Sequence, residues 1–130
     1  MNAKTLPTEL LIDSEGACTI ALECWRLSLM AELLKDSSHG AGLRHAVRRI
    51  TETLKSIGVE VVDLVGRPYD PGMVPEVVDV REDQRLPDGH VTIGETVAPT
   101  VTWRGQVIKP GQIIVTRSSG RPQEYIKVIE

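Results

Sequence analysis

The chain passes from one kind of structure to another within "ITETLKSIGVEVVDLVGRPYDPGMVPEV", residues Ile50 to Val77. On the amino-terminal side, Ile50, Leu54 and Ile57 extend a 4-3-4-3 apolar line that begins at Leu43 and Val47. Arg44, Arg48, Arg49, Glu52, Lys55 and Ser56 fill the positions between. That spacing predicts an amphipathic helix over residues 42–57. Gly58 follows where a helix C′ residue must take positive φ. "VEVVDLV", Val59 to Val65, then reads as a β-strand. Beyond it Pro68, Pro71 and Pro75, with Gly66 and Gly72, permit neither a helix interior nor a central strand. The segment must be a stiff, shaped loop, either a joint or a binding edge.

Upstream, "ACTIALECWRLSLMAELLK", Ala17 to Lys35, is helical in pattern. Ile20, Cys24, Leu27, Ala31 and Leu34 form a heptad-like seam, and Cys18, Leu22, Trp25, Leu29 and Leu33 run beside it. Two apolar lines exceed what one neighbour covers, so this helix belongs inside a bundle. "DSSHGAG", residues 36–42, breaks it with turn and cap residues, giving an antiparallel hairpin. Because both helices carry seams, the hairpin is expected to pair with a second copy in a dimeric four-helix bundle. The dimer-forming residues would be Ile20, Cys24, Leu27, Leu34, Leu43, Val47, Ile50 and Leu54. The alternative is that the hairpin packs on its own β domain. Residues 1–16 are expected to be a flexible polar lead-in.

Downstream, "EVVDV", "HVTIGETV", "TVTW", "QVI", "QIIVTR" and "EYIKVI" (Glu124 to Ile129) are short β-type runs separated by "LPDG", "RG", "KPG" and "SSGRP". Helices followed by strands make the chain α+β, with a helical dimerisation hairpin over 17–58 and a small all-β domain over 59–130.

Composition narrows the function. With 41% hydrophobic and 25% charged residues, the 130-residue chain suits one small soluble domain with a helical appendage. Only Trp25, Tyr69, Trp103 and Tyr125 are aromatic, so Val, Ile and Leu must build the core. A net charge of −3 speaks against a nucleic-acid or polybasic-membrane partner. The cluster Arg44, Arg48 and Arg49 reads as a solvated helix face. Cys18 and Cys24, six apart on an apolar segment, match no zinc spacing and read as small buried hydrophobes. The amino terminus has no apolar signal region and no segment approaches a membrane span, so a cytoplasmic protein is expected.

Chemistry is sparse. His39, His45 and His90 have no partners at metal spacing, and there is no nucleophile elbow, phosphate-cradling glycine loop or HExxH. Asp70, between an aromatic residue and a proline, suits an Asx-type turn bond to its own backbone. No catalytic constellation is met, so the chain is expected not to be an enzyme and to use no cofactor or metal. A small hydrolase or metal protein is the reading this disfavours.

"IGVEVVDLVGRPYDP", Ile57 to Pro71, resembles the helix end and first β segment of the GrpE family, which shows "FGVE…G.PFDP…HEAV" there. "LPDGHV", Leu86 to Val91, is similar to that family's "PGTV" turn and strand, and "WRGQVIKPGQIIVTRS", Trp103 to Ser118, to its "L.GRVLRPA.V.VS" close. The helix "GLRHAVRRITETLKSIGVE" is similar to the family's last short helix, with Gly42 on a family glycine. The resemblance covers residues 42–118, four pieces in order at near-family spacing. The departures are equally specific. "VPEVV", Val74 to Val78, replaces "HEAV" and keeps only Glu76; the family "GY" is replaced around Thr100 and Val101; Gln106 replaces an Arg, and Lys109 stands for the second Arg. About two extra residues lie between Val91 and Val101, and about 20 residues stand where the family has a much longer helix.

The resemblance implies a homodimeric co-chaperone acting in protein folding and the stress response. It would grip the ATPase domain of a DnaK-type chaperone and hold its nucleotide cleft open so that ADP leaves. That is exchange by differential binding to an open conformer. Family contact positions fall on Tyr69, Pro71, Val97, Gln106 and Val115, with Gly42 where the family needs a small residue. Independently of the resemblance, Tyr69 between two prolines is a pre-organised aromatic of the type that anchors interfaces. Covering the module's own core is its other reading, and for Val97 and Val115 packing is the usual role of a strand Val. The departures raise one alternative function: a dimeric adaptor that binds a different protein without exchange activity.

Overall fold

Asp13 starts the first helix. Its carboxylate accepts from the Gly16 N–H at 2.7 Å, and α1 runs over Ser14–Leu33 with Glu15 in the first turn, where the helix dipole favours an acid. The computed structural model describes residues 5–119. A short turn, 34–37, leads to α2, Ser38–Ser56, whose N-cap Ser37 accepts from the Gly40 N–H at 3.1 Å. The second helix therefore begins four residues before the expected Gly42, because a serine of "DSSHG" caps it at once. Gly58 ends the hairpin at φ +90°, as its place after Ile57 requires.

Six strands follow: β1 (Val59–Val62), β2 (Glu76–Asp83), β3 (Val91–Ala98), β4 (Thr100–Trp103), β5 (Gln106–Lys109) and β6 (Gln112–Ser118). They form two three-stranded sheets, ordered β1-β4-β5 and β2-β6-β3. The first sheet is antiparallel throughout. In the second, β2 runs parallel to β6 while β3 runs antiparallel to it. The two-residue turn between β4 and β5 has Arg104 at φ +50° and Gly105 at φ +81°, the signature of a hairpin turn whose twist matches its strands. The fold is α+β, as the sequence order implies. The expected run Glu124–Ile129 lies outside the described residues.

The hairpin rests on its own first sheet. Ala17, Cys18 and Ala21 of α1 meet Val59 and Val101, and Leu22, Leu54, Val61 and Ile108 close round them. Farther along α1, the Cys24 thiol lies 3.4 Å from the Thr51 hydroxyl and 3.7 Å from the Val47 carbonyl of α2. The buried line of α1 is therefore one of small side chains: Ala17, Cys18, Ala21, Cys24 and Ala31. Small residues let helix and sheet approach closely, and a pattern weighted to large apolar residues passes over them. Among the residues expected to form a bundle, Cys24 and Val47 are buried inside the hairpin. Leu27, Leu43, Ile50 and Leu54 are half-buried, while Ile20 and Leu34 stay exposed beside Leu29, Met30 and Leu33.

The second sheet carries a separate core of Ile93, Ile113 and Val115, overlaid by Leu64, Tyr69, Met73, Val77 and Val91. The sheets meet at Pro99, a fully buried single residue between β3 and β4. Gly111 packs against that joint. A Cβ there would stand 2.6 Å from the Ala98 carbonyl oxygen and 2.7 Å from the Thr100 nitrogen, so only glycine fits. Its N–H donates to the Thr100 hydroxyl at 3.0 Å.

Candidate functional site

The proline-bounded segment between β1 and β2 is built as an added edge to the second sheet. The Gly66 N–H donates to the Ile93 carbonyl at 2.7 Å, the Ile93 N–H to the Arg67 carbonyl at 2.8 Å, and the Tyr69 N–H to the Val91 carbonyl at 2.8 Å. Pro68 pairs antiparallel with Thr92 between these bonds. A proline is tolerated there because on an edge its missing N–H leaves no ladder bond unmade. Gly66, at φ +87°, makes the bend that lays the segment along β3.

Past Tyr69 the chain turns sharply. The Asp70 carboxylate accepts from the Gly72 N–H at 3.0 Å, and the Asp70 carbonyl accepts from the Met73 N–H at 2.9 Å. This is the Asx-type turn that the sequence context of Asp70 leads one to expect. Tyr69 is consequently half-buried: one part covers the second core beside Met73 and Val77, and the rest faces solvent. The two readings of Tyr69, core cover and exposed aromatic, are properties of one side chain.

The residues picked from sequence are not all neighbours. Tyr69 and Val115 share the second core, and Val115 is only 4% exposed. Pro71 is exposed in the Asp70 turn, and Val97 is 42% exposed on β3. Gln106 is exposed at the start of β5, paired with Trp103 in the other sheet. Gly42 is exposed in α2 and has open space where a Cβ would stand. The close-packed helical glycine is instead Gly40, whose Cβ would fall 1.9 Å from the Leu34 carbonyl oxygen.

Two features escape the sequence reading. One is Asp63, directly after β1. Its carboxylate accepts from the Thr96 hydroxyl of β3 at 2.6 Å, the Trp25 indole N–H of α1 at 3.2 Å and the Val65 N–H at 3.1 Å. An acid inside an otherwise apolar run was the available signal. The other is Trp103, whose indole N–H donates to the Ile57 carbonyl at 3.2 Å while the Arg104 guanidinium stacks 4.7 Å above its ring. This ties the carboxyl end of α2 to the first sheet. Such an arrangement presents a firm surface. Among the described residues, no three His, Cys, Asp or Glu side chains group where a metal ion would bind, and no helix is long and apolar enough to cross a membrane.

No protein-family model matches the chain. It is similar to curated proteins named Protein GrpE. One, from Wolbachia sp. subsp. Brugia malayi (strain TRS), is 29% identical over 97 residues, 74% of this chain and 52% of the relative. That of Wolbachia pipientis wMel is 30% identical over 97 residues, covering 74% of this chain and 50% of the relative. That of Parageobacillus thermoglucosidasius is 28% identical over 91 residues, covering 70% and 39%. The chain thus spans about half the length of the first of these relatives or less. Relatives of one name over three quarters of the sequence, together with an α+β fold of two helices and short strands, support the chain as a divergent member of the GrpE family.

Proposed function

We propose that the chain is a GrpE-like co-chaperone: as a homodimer it binds the ATPase domain of a DnaK-type chaperone and promotes ADP release. The similarity to proteins named GrpE over 97 residues carries this reading. The loop supports it physically. Its backbone is held by β3 before any partner arrives, so Tyr69 can anchor without an ordering cost. The expected contact surface comprises Tyr69, Pro71, Val97 and Gln106, with Val115 acting from beneath Tyr69 and Gly42 on the hairpin. Exchange then needs no bond-making residue. The protein binds the open form of the nucleotide cleft better than the closed form, and the ratio of those affinities sets how far the population shifts. The exposed apolar side chains Leu29, Met30, Leu33 and Leu34, grouped at the carboxyl end of α1 with Ile20 exposed farther back, support self-association, since exposed apolar side chains grouped on a surface mark an interaction face.

Stopped-flow release of labelled ADP from the cognate chaperone tests the reading. Acceleration that saturates with added protein is expected, and Tyr69→Ala raises the half-saturating concentration by roughly 30-fold if Tyr69 is a hot spot. Unchanged release at saturating protein overturns the exchange activity. The second reading, an adaptor for another protein, is favoured by Gln106 and by Val74–Val78 in place of the family's charged and histidine-bearing segments. A binding assay with the purified ATPase domain separates the two, because an adaptor leaves it unbound.

A further inference from the structure

We infer that Asp63 is a positioning residue, a clasp that fixes the Tyr69 loop relative to α1. The inference rests on the docking role proposed for that loop. Residues 63–65 carry the chain from the first sheet to the second: Val62 ends β1, and Gly66 already bonds to β3. The Asp63 carboxylate stands at that crossing and divides its two oxygens. Oδ1 takes the Thr96 hydroxyl and the Val65 N–H, both on the side of the second sheet and its loop. Oδ2 takes the Trp25 indole N–H from the helical hairpin. An ionised carboxylate offers about four acceptor sites, so three donors are met at once without competition. Bonds to a charged acceptor are stronger and more directional than neutral ones.

The hairpin and the second sheet have separate cores, so a link between them is informative. The Trp25–Asp63–Thr96 chain of bonds makes one, from α1 through the loop to β3. Where Tyr69 sits relative to the hairpin is thereby set by a group that a partner gripping Tyr69 need not touch. Preorganisation of this kind acts on affinity and leaves the bound geometry unchanged.

The test is a double-mutant cycle on Asp63→Asn and Trp25→Phe. Asp63→Asn keeps one acceptor oxygen for Thr96 and Val65 and turns a donor toward the indole. Trp25→Phe removes the indole N–H and retains an aromatic ring. Each single change is expected to raise the half-saturating concentration for ADP release about fivefold, the size of one hydrogen bond, with the maximal rate unchanged. The double change costs no more than either single one, and hydrogen exchange at the Gly66 and Tyr69 amides quickens to a similar degree. Multiplying effects, or unchanged exchange at those amides, overturn the clasp. A drop in maximal rate at unchanged half-saturation also overturns it, since that is the mark of a mere loss of folded protein. Tyr69→Ala, measured alongside, keeps the two claims apart. If it leaves ADP release unaltered, the docking reading fails, and the amide-exchange cycle alone decides the clasp.

Discussion

Two glycines two residues apart behave in opposite ways because of what surrounds them. Gly40 lies in the first turn of α2, where an added Cβ would enter the Leu34 carbonyl at 1.9 Å. That neighbour is backbone and cannot swing aside, so Gly40→Ala must shift the turn between the helices. A loss of about 1–3 kcal/mol by urea denaturation is expected, the range of overpacked sites. Gly42 has open space, and there alanine removes only unfolded-state entropy. Gly42→Ala is expected to stabilise the chain by about 0.5–1 kcal/mol. If Gly42 also meets the partner, the same variant binds it more weakly while melting higher, a separation that calorimetry and binding read independently. The sequence marked Gly42 through a family resemblance. It could not mark Gly40, because the need arises from the angle at which the chain re-enters the second helix. Asp70 was legible for the converse reason: its turn bonds close within three residues, so local sequence determines them.

At the scale of the element, α1 illustrates how the small members of an apolar pattern can form its packed side. The helix and its apolar lines were legible, but its packed side consists of Ala17, Cys18, Ala21, Cys24 and Ala31. Of the larger residues in the pattern, Leu22 and Leu27 are half-buried, whereas Leu33 at 86% and Leu29 at 49% exposure face outward. Alanine contributes little to any hydrophobicity pattern, yet it allows the helix axis to approach β1 and β4, where Val59 and Val101 are buried. Substitutions on the two sides should therefore part company. Ala21→Leu drives a larger side chain against Val59 and Val101 and costs about 1–3 kcal/mol. Leu29→Glu with Leu33→Glu changes the stability of the single chain by no more than about 0.5 kcal/mol each, as exposed positions do. If the carboxyl end of α1 joins two copies, the glutamate pair abolishes the dimer in sedimentation velocity while Ala21→Leu lowers the melting point of the chain; a dimer that survives both glutamates assigns self-association to another surface.

Across the whole molecule two small cores are connected by very short joints. Val101 anchors the core under the hairpin and Ile93 the core under Tyr69, and the chain between β3 and β4 is the single residue Pro99. The β5–β6 connection is nearly as short, and Gly111 within it donates to Thr100 across the joint. The division into helices and then strands was legible, because periodicity changes from 3.6 to 2 at Gly58. How the strands split into two sheets was not, because the partners β2 and β6 lie far apart in sequence and their register depends on a bulge at Val78. These joints make a specific demand on unfolding. Neither sheet can open far without pulling Pro99 and Gly111 out of contact, so both cores should melt in one transition. Val101→Ala removes two buried methyl groups and costs about 2 kcal/mol. For a chain of this size the melting point then falls by roughly 4 °C per kcal/mol, about 8 °C in all. The fluorescence of Trp25 and Trp103 reports the hairpin and first sheet, whereas amide exchange at Ile93 and Val115 reports the second. Coincident shifts in both signals are the expected result, and a second sheet that keeps its protection after Val101→Ala would show the cores to be independent, with the Asp63 bonds too weak to couple them.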